Sequence, residues 1–234
     1  MIRSLGHRGS AVHCPCCGHD FSRFIPHRGR PYAKCPRCGA LERHRLLVLF
    51  LRERTDLFSG DLAMLHVAPE HALQQTLRRQ ANLRYLSVDL DSPLAMEHAD
   101  LLELPYPDAR FDIVMCNHVL EHVDDDRRAL REIRRVLRDG GRAIIMSPID
   151  EKRSDTLEDP RVTSPAERYR VFGQSDHLRR YGRDFGDRVA AVGFGVTVVR
   201  YLEEIEPEQV TRLGLRRDSE LFQRDDVFMC DKMV

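Results

Sequence analysis

The sequence predicts an α/β protein in which a doubly wound, mostly parallel sheet follows a small metal-binding segment. Two observations lead to this prediction. From residue 61 onward, apolar runs of strand length alternate with helical patterns, which is typical of a parallel sheet covered by helices on both faces. Five of the seven cysteines lie in residues 14–38, a clustering that indicates a metal site.

Two C-P-x-C-G repeats, at residues 14–18 and 35–39, predict a zinc ribbon over residues 1–40. C-x2-C spacing lets one tight turn present two sulfur atoms to an ion at about 2.3 Å, and the following glycine permits the positive φ of that turn. Cys16 could replace a neighbour, but the match between the repeats selects another set of ligands: Cys14, Cys17, Cys35 and Cys38. Four protein ligands leave no open position, so we expect Zn²⁺ with a structural role.

Residues 41–60 are predicted to connect this module to the main domain, which we expect to occupy residues 61–234. The apolar run at 46–51, with charged residues on both sides, predicts a helix over 41–54 that packs against the next domain. We therefore expect a docked ribbon rather than a tethered one.

The main domain contains strand and helix signals in regular alternation. Strands are predicted at 62–68, 83–89, 99–103, 111–117 and 142–147. Helices are predicted at about 70–81 and 124–138. A further helix at roughly 180–192 precedes two more strands, at 196–202 and 226–232, one of them antiparallel. In such sheets, ligands bind beyond the carboxyl ends of the strands, near the switch in strand order.

Residues 104–141 carry the pattern L-P-x-P-D, F-D-x-V, H-V-L-E-H-V and L-R-E-x-x-R-V-L-x-x-G-G. This pattern resembles class I S-adenosylmethionine-dependent methyltransferases of the type 11-like group, and the resemblance extends over roughly residues 61–200. It implies a seven-stranded Rossmann-like sheet and an enzyme that uses S-adenosylmethionine.

The resemblance also implies which residues bind this cofactor. The binding residues that it assigns beyond the first loop are Asp89, Leu90, Asp100, Leu101, Asn117 and His118. Asp89 would bind the ribose hydroxyls, since a carboxylate can accept two hydroxyl hydrogen bonds. Asp100 with Leu101 would hold the adenine, and Asn117 with His118 would line the methionine end.

The first cofactor loop departs from the family pattern. His66 stands at the position of the usual acidic residue, and Ala68, Glu70 and Ala72 stand where glycines are usual. We expect the Ala68–Pro69–Glu70 turn to bind the cofactor nevertheless. The small Ala68 still allows close backbone approach, and Glu70 could supply a carboxylate to the ammonium group.

Residues 118–122 also match H-x-x-E-H, an inverted zinc-protease pattern. That interpretation needs a helix, whereas this segment directly follows a predicted strand. We therefore expect Glu121 and His122 to lie beside the cofactor pocket at the start of a helix.

Residues 148–182 are expected to face the methyl acceptor, because the segment is too long for a simple connection. His177 is the first candidate base and His118 the second. The candidate acceptor contacts are Tyr169, His177, Arg179 and Tyr181. The alternative is that His177 and Arg179 only pin the loop to the edge of the sheet.

The composition, 42% hydrophobic and 32% charged over 234 residues, is that of a globular protein. The longest apolar run is too short to cross a bilayer, and the first residues do not resemble a secretory signal, so we expect a cytoplasmic protein without a membrane partner. Charge is uneven: residues 1–54 hold eleven Lys and Arg against three Asp and Glu, a net +8, and the remainder carries −8. Such asymmetry is found in docking arms for polyanions, although a solvated basic face is the alternative.

Three functions remain open from the sequence. The first is a methyltransferase for a small molecule or metabolite. The second is an RNA or protein methyltransferase that docks through the basic ribbon, as in ribosomal-RNA methyltransferases with a zinc module. The third is a non-enzymatic binding protein that has lost cofactor affinity with its glycine loop. The sequence does not indicate an oligomeric state.

Overall fold

A computed structural model of the protein describes residues 6–215 and 225–233. The chain forms two compact units, each built from separate stretches of sequence. Among the described residues, the first unit contains 6–61, 69–84 and 200–215. The second contains 62–68, 85–199 and 225–233.

Helices and strands alternate through most of the described chain. The helices are α1 (Glu42–Arg54), α2 (His71–Leu77), α3 (Asp126–Val136), α4 (Pro165–Phe172), α5 (Phe185–Ala190) and α6 (Pro207–Leu213). The first strands are β1 (Val12–Cys14), β2 (His19–Phe21), β3 (Ile25–His27), β4 (Arg30–Lys34), β5 (Leu62–Val67), β6 (Leu83–Asp89) and β7 (Glu97–His98). The others are β8 (Phe111–Asn117), β9 (Leu137–Met146), β10 (Leu157–Glu158), β11 (Arg179–Arg180), β12 (Phe194–Val199) and β13 (Val227–Lys232).

Two short hairpins, β1–β2 and β3–β4, form the N-terminal part of the first unit. Arg28 and Gly29, between β3 and β4, have φ values of 45° and 80°. Two successive positive φ values are the signature of the tight turn that matches the twist of a hairpin. The chain therefore reverses at Arg28–Gly29, and Arg30 already pairs with His27.

Arg45 of α1 is fully buried in the first unit. Its guanidinium donates to the main-chain carbonyl oxygens of Ala33, Ala40, Leu213 and Gly214 at 2.5–2.9 Å. It also lies 3.9 Å from the ring centroid of Phe24. A buried guanidinium is tolerated only when its donors are satisfied, and here four carbonyl oxygens satisfy them. Because these carbonyls lie in the ribbon and at the end of α6, the side chain joins both to α1 within the unit.

Seven strands form one sheet in the order β12-β13-β9-β8-β5-β6-β7. β13 is antiparallel to both of its neighbours, whereas β8 runs parallel to β5 and to β9. The predicted fold class, a doubly wound and mostly parallel seven-stranded sheet, is confirmed. The chain runs outward from β5 to β6 and β7, and then returns to β8 on the other side of β5. The switch in strand order therefore lies between β5 and β8.

The third predicted strand was wrong. Residues 99–103 form a turn, because Asp100 Oδ1 accepts from Leu102 N at 2.8 Å and the Asp100 carbonyl accepts from Glu103 N at 3.1 Å. The edge strand is instead Glu97–His98, which pairs with the end of β6.

The predicted helix over 124–138 also extends too far, and the strand after it was predicted to begin too late. α3 ends at Val136, and β9 begins at once with Leu137, which pairs with Phe111. The next pair is Ile113 with Arg142, so the segment between them bulges out of the ladder. A Cβ at Gly141 would meet the Arg138 carbonyl oxygen at 2.8 Å, and this close approach explains the glycine there.

In the described part of the chain, every helix is too short or too polar to cross a bilayer.

Candidate functional site

Two non-glycine residues with positive φ lie at the switch point of the sheet. Ala68, directly after β5, has φ = 48°, and His118, directly after β8, has φ = 54°. Each is held by the main chain: Ala68 N donates to Val88 O, and His118 N to Met146 O, both at 2.8 Å. Such conformations cost about 1–3 kcal/mol and cluster where a fold binds a ligand. Parallel sheets of this kind bind their ligands at the switch point.

Asn117, the last residue of β8, is 3% exposed. Its Oδ1 and Nδ2 are both buried and neither has a hydrogen-bond partner among the described residues. A buried amide without partners costs about 1–3 kcal/mol for each unsatisfied group. Of the predicted cofactor residues, this one carries the strongest physical indication of a ligand.

Asp89 and Asp100 are oriented by the turns that follow them. Asp89, at the end of β6, accepts at Oδ1 from Asp91 N (2.9 Å) and Ser92 N (2.8 Å). Asp100 Oδ1 accepts from the main chain two residues later. The two neighbouring residues differ in exposure, since Leu90 is 62% exposed whereas Leu101 is buried. The second unit thus contains Ala68, Asp89, Leu90, Asp100, Leu101, Asn117 and His118.

Pro69 and Glu70 belong to the first unit, where Glu70 precedes α2. The Glu70 carboxylate lies 3.8 Å from His44 Nε2 within that unit. Its predicted contact to the cofactor stays a prediction. His66, at the position of the usual acid, is buried in the second unit with Nδ1 2.9 Å from the Tyr85 hydroxyl.

Glu121 is buried beside His118. It is 1% exposed, its Oε2 accepts from the Ser147 hydroxyl at 3.1 Å, and its Oε1 lies 3.5 Å from His118 Nδ1. Burial by itself would raise the pKa of Glu121, but hydrogen bonding and attraction from His118 hold it below its ordinary value. Glu121 is therefore an ionised carboxylate in the protein interior. The segment 118–123 is not helical, and α3 begins only at Asp126, so the predicted helix-start position of Glu121 and His122 was wrong.

His177 is buried to 1% exposure and its ring packs edge-on against His122, with centroids 4.8 Å apart. Its Nε2 is buried and, within the described part of the chain, has no hydrogen-bond partner. Burial lowers the pKa of His177, so the ring is neutral at physiological pH. A neutral imidazole with a bare nitrogen can accept a proton or bind a metal ion.

The other predicted acceptor contacts differ in placement. Arg179 is 4% exposed and donates to the carbonyl oxygens of Leu120 and Val123 at 2.6 Å each. The Tyr181 hydroxyl donates to Asp126 Oδ2 at 2.7 Å, whereas Tyr169 on α4 is 68% exposed. For Arg179, this geometry favours the alternative in which it pins the loop, and the Tyr181 hydroxyl is likewise bonded inside the protein.

Sequence reasoning did not single out Asp126 or Ser147. Asp126 is 2% exposed and accepts from Arg188 at 2.6 and 2.8 Å and from Tyr181. An acidic residue in the first turn of a helix is common, so the sequence held no signal that this one is buried. For Glu121, the i, i+3 spacing from His118 was a sequence signal that the two side chains could lie close together.

Four cysteine sulfurs converge in the first unit. Cys14 Sγ lies 3.6 Å from Cys38 Sγ, and Cys17 Sγ lies 3.8 Å from Cys35 Sγ. All four sulfurs lie within 4.8 Å of one another. Tetrahedral zinc with bonds of about 2.3 Å places sulfurs about 3.8 Å apart, so this donor set fits the ion. Cys16 lies outside the quartet, and its thiol donates to the His44 carbonyl oxygen at 3.5 Å.

Part of the chain is similar to known methyltransferases. Residues 60–145 match the family model described as "Methyltransferase domain". A relative, 27-O-demethylrifamycin SV methyltransferase of Amycolatopsis mediterranei, is 46% identical over 63 residues, which are 27% of this chain and 23% of that protein. The matches to this and two other curated relatives span only 21–42% of their lengths.

Solved structures share the fold. An S-adenosylmethionine-dependent methyltransferase from Mesorhizobium loti matches with a TM-score of 0.56 at 18% identity, covering 80% of this chain and 97% of that one. A Burkholderia thailandensis 1,6-didemethyltoxoflavin-N1-methyltransferase, solved with 1,6-didemethyltoxoflavin and S-adenosylhomocysteine, matches with a TM-score of 0.54 at 15% identity, covering 82% and 79%. At these identities the likeness shows the fold.

Proposed function

We propose that this chain, whose residues 60–145 match a methyltransferase-domain model, transfers a methyl group from S-adenosylmethionine to a small molecule. The observation that carries the proposal is the unpartnered amide of Asn117, buried at the switch point of the sheet. A ligand with both a donor and an acceptor would satisfy that amide, and the amino-acid end of S-adenosylmethionine offers both.

The neighbouring residues fit the rest of this cofactor. Asp89, held by two main-chain donors, presents a carboxylate to the ribose hydroxyls, and Asp100 with Leu101 takes the adenine. The positive φ of Ala68 and His118 would let the backbone at both positions approach the cofactor closely. Leu90, Pro69 and Glu70 are included on the resemblance alone.

The bound cofactor supplies an activated methyl group on a sulfonium. The protein must align the acceptor with it and exclude water. If the acceptor loses a proton, His118 is the first candidate base, with its Nδ1 3.5 Å from Glu121 Oε1. His177 is the second candidate base, with its neutral ring and bare Nε2.

A small-molecule acceptor is supported by two named similarities, to a rifamycin methyltransferase and to a toxoflavin methyltransferase. The basic charge of residues 1–54 supports RNA as the alternative acceptor, and an acidic protein as a further one. The departure from the glycine-rich loop supports the third function, a binding protein without activity. We further propose that Cys14, Cys17, Cys35 and Cys38 hold structural zinc, and that the protein acts in the cytoplasm.

The test is calorimetric titration of the full-length, zinc-loaded protein with S-adenosylmethionine. We expect binding, and at least about a tenfold loss for Asp89→Asn, since that change removes a charged acceptor for two hydroxyls. Asp187→Asn, an exposed position on α5, is the matched control. Absence of binding by folded protein would overturn the proposal. If binding is found, turnover of labelled cofactor with metabolite and RNA pools identifies the acceptor class.

A further inference from the structure

Glu121, His122 and His177 bring three metal-ligating groups together outside the cysteine quartet. One ligand atom from each lies within 4.8 Å of the others. All three belong to the second unit, two in the loop after β8 and one shortly before β11. The cluster is largely shielded, since Glu121 and His177 are both 1% exposed and His122 is partly buried.

One nitrogen of the cluster has no hydrogen-bond partner among the described residues, and the neighbouring histidine is oriented by Asp176. His177 Nε2 is buried and finds no hydrogen-bond partner in the described residues, although such a nitrogen ordinarily has one. His122 Nδ1 lies 3.3 Å from the Asp176 carbonyl oxygen and 3.5 Å from Asp176 Oδ2, and these contacts orient the ring. Outer hydrogen bonds of this kind orient ligating histidines in metal sites.

Glu121 supplies the anionic ligand. Its Oε2 is anchored by the Ser147 hydroxyl, and its Oε1 lies 3.5 Å from His118 Nδ1. Ligating carboxylates are oriented by such neighbouring hydrogen bonds. The buried carboxylate also provides charge that partly neutralises a divalent ion.

We propose that Glu121, His122 and His177 bind a divalent transition-metal ion. Two imidazoles and one carboxylate suit Zn²⁺, Co²⁺ or Fe²⁺, and they leave coordination positions open, unlike the closed cysteine quartet. An ion there would offer those positions to an oxygen or nitrogen ligand. The inference stands on this cluster alone and does not depend on methyl transfer. With the ion bound, His177 would be a ligand, and His118 would be the remaining candidate base.

The experiment uses full-length protein whose cysteine quartet is already loaded with zinc. It is dialysed against Co²⁺ alone or Zn²⁺ alone, and the bound metal is measured by mass spectrometry. We expect about one further ion for each chain, with a Co²⁺ spectrum that lacks sulfur-to-metal bands. His177→Ala and Glu121→Gln should each weaken this binding at least about tenfold, since each removes one ligand.

His98→Ala is the matched control, because His98 is an exposed histidine of the same unit. It should leave the further ion in place. Circular dichroism reports whether each variant folds, and if His177→Ala does not, Glu121→Gln and His122→Asn decide the question. Equal metal content in wild type and folded variants, or no further ion in wild type, would overturn the proposal and leave a metal-free cluster of acid–base groups.

Discussion

The Tyr181 hydroxyl donates a 2.7 Å hydrogen bond to Asp126 Oδ2, which ties the end of the 148–182 insertion to the start of α3. Both side chains are buried, and the guanidinium of Arg188 donates to the two oxygens of the same carboxylate at 2.6 and 2.8 Å. Arg179, 3.8 Å from Asp126, and Glu158, which pairs with both arginines, complete the cluster. The insertion is thereby held on the same unit as the candidate site.

We expect Asp126→Asn to lower the free energy of unfolding by up to about 3–5 kcal/mol, because it leaves the buried Arg179 and Arg188 with only the half-exposed Glu158 as counter-ion. Tyr181→Phe should cost about 1.5–3 kcal/mol, the value of one hydrogen bond to a charged group. Urea denaturation followed by circular dichroism measures both. Asp159→Asn is the control, since its partner Arg161 is 89% exposed. If all three variants unfold at the same urea concentration, the cluster does not stabilise the fold.

The carboxylate of Asp126 should also affect how the stability of the protein falls at acidic pH. Burial by itself would raise the pKa of Asp126, but the hydrogen bonds from Arg188 and Tyr181 and the charge of Arg179 hold it below its ordinary value of 3.8. A lowered pKa in the folded state contributes stability above about pH 4, and that contribution is lost as the pH falls through the folded-state pKa. The thermal midpoint measured between pH 7 and pH 3 should therefore drop less steeply for Asp126→Asn than for wild type. Parallel curves would contradict this.

Asn117→Leu separates the ligand role of Asn117 from its role in folding. Replacing an unpartnered buried amide by an apolar side chain of similar shape should leave the free energy of unfolding unchanged or raise it by about 1–2 kcal/mol. The same change should weaken S-adenosylmethionine binding at least about tenfold, because the ligand loses both hydrogen bonds. Denaturation and calorimetry of the same sample measure the two effects. Unchanged affinity would show that the amide does not face the cofactor.

Part of this structure could be predicted from sequence because spacing and periodicity are local. The strands Leu83–Asp89 and Phe111–Asn117 were predicted with the observed bounds, and the C-x2-C spacing selected the four cysteines that converge. The two-residue edge strand at Glu97 and the bulge before Arg142 were missed. Such features depend on pairing with a neighbouring strand and leave little pattern in the sequence.

The candidate site was predictable only in part, for a related reason. Asp89 and Asn117 end strands and His118 follows one, so their position at the carboxyl edge of the sheet follows from topology. The positive φ of Ala68 and the burial of Glu121 depend on contacts made far along the chain, such as Ser147 and Val88. Contacts of that range are not encoded in a local pattern.

The cysteine quartet has a matched control in Cys16, which lies in the first C-P-x-C-G repeat but outside the quartet. We expect Cys38→Ser to reduce the zinc bound after purification to less than about half, because it removes one of four thiolates. Cys16→Ser should retain full zinc, since Cys16 lies outside the quartet and a serine hydroxyl can also donate to the His44 carbonyl. Metal analysis and thiol labelling measure the difference. Equal zinc loss in both variants would show that Cys16 belongs to the site.

The basic first unit distinguishes the acceptor classes. Arg23, Arg28 and Arg37 are exposed, and exposed Tyr32 offers a face for base stacking. If RNA is the acceptor, replacing the three arginines by alanine should lower the RNA affinity. It should also reduce the slope of the logarithm of that affinity against the logarithm of salt concentration by the amount expected for about three phosphate contacts. S-adenosylmethionine affinity should stay unchanged in that variant, which serves as the internal control. For a small-molecule acceptor, we expect weak RNA binding in wild type and full turnover by the triple variant. Loss of small-molecule turnover without loss of cofactor binding would instead assign these arginines to the acceptor.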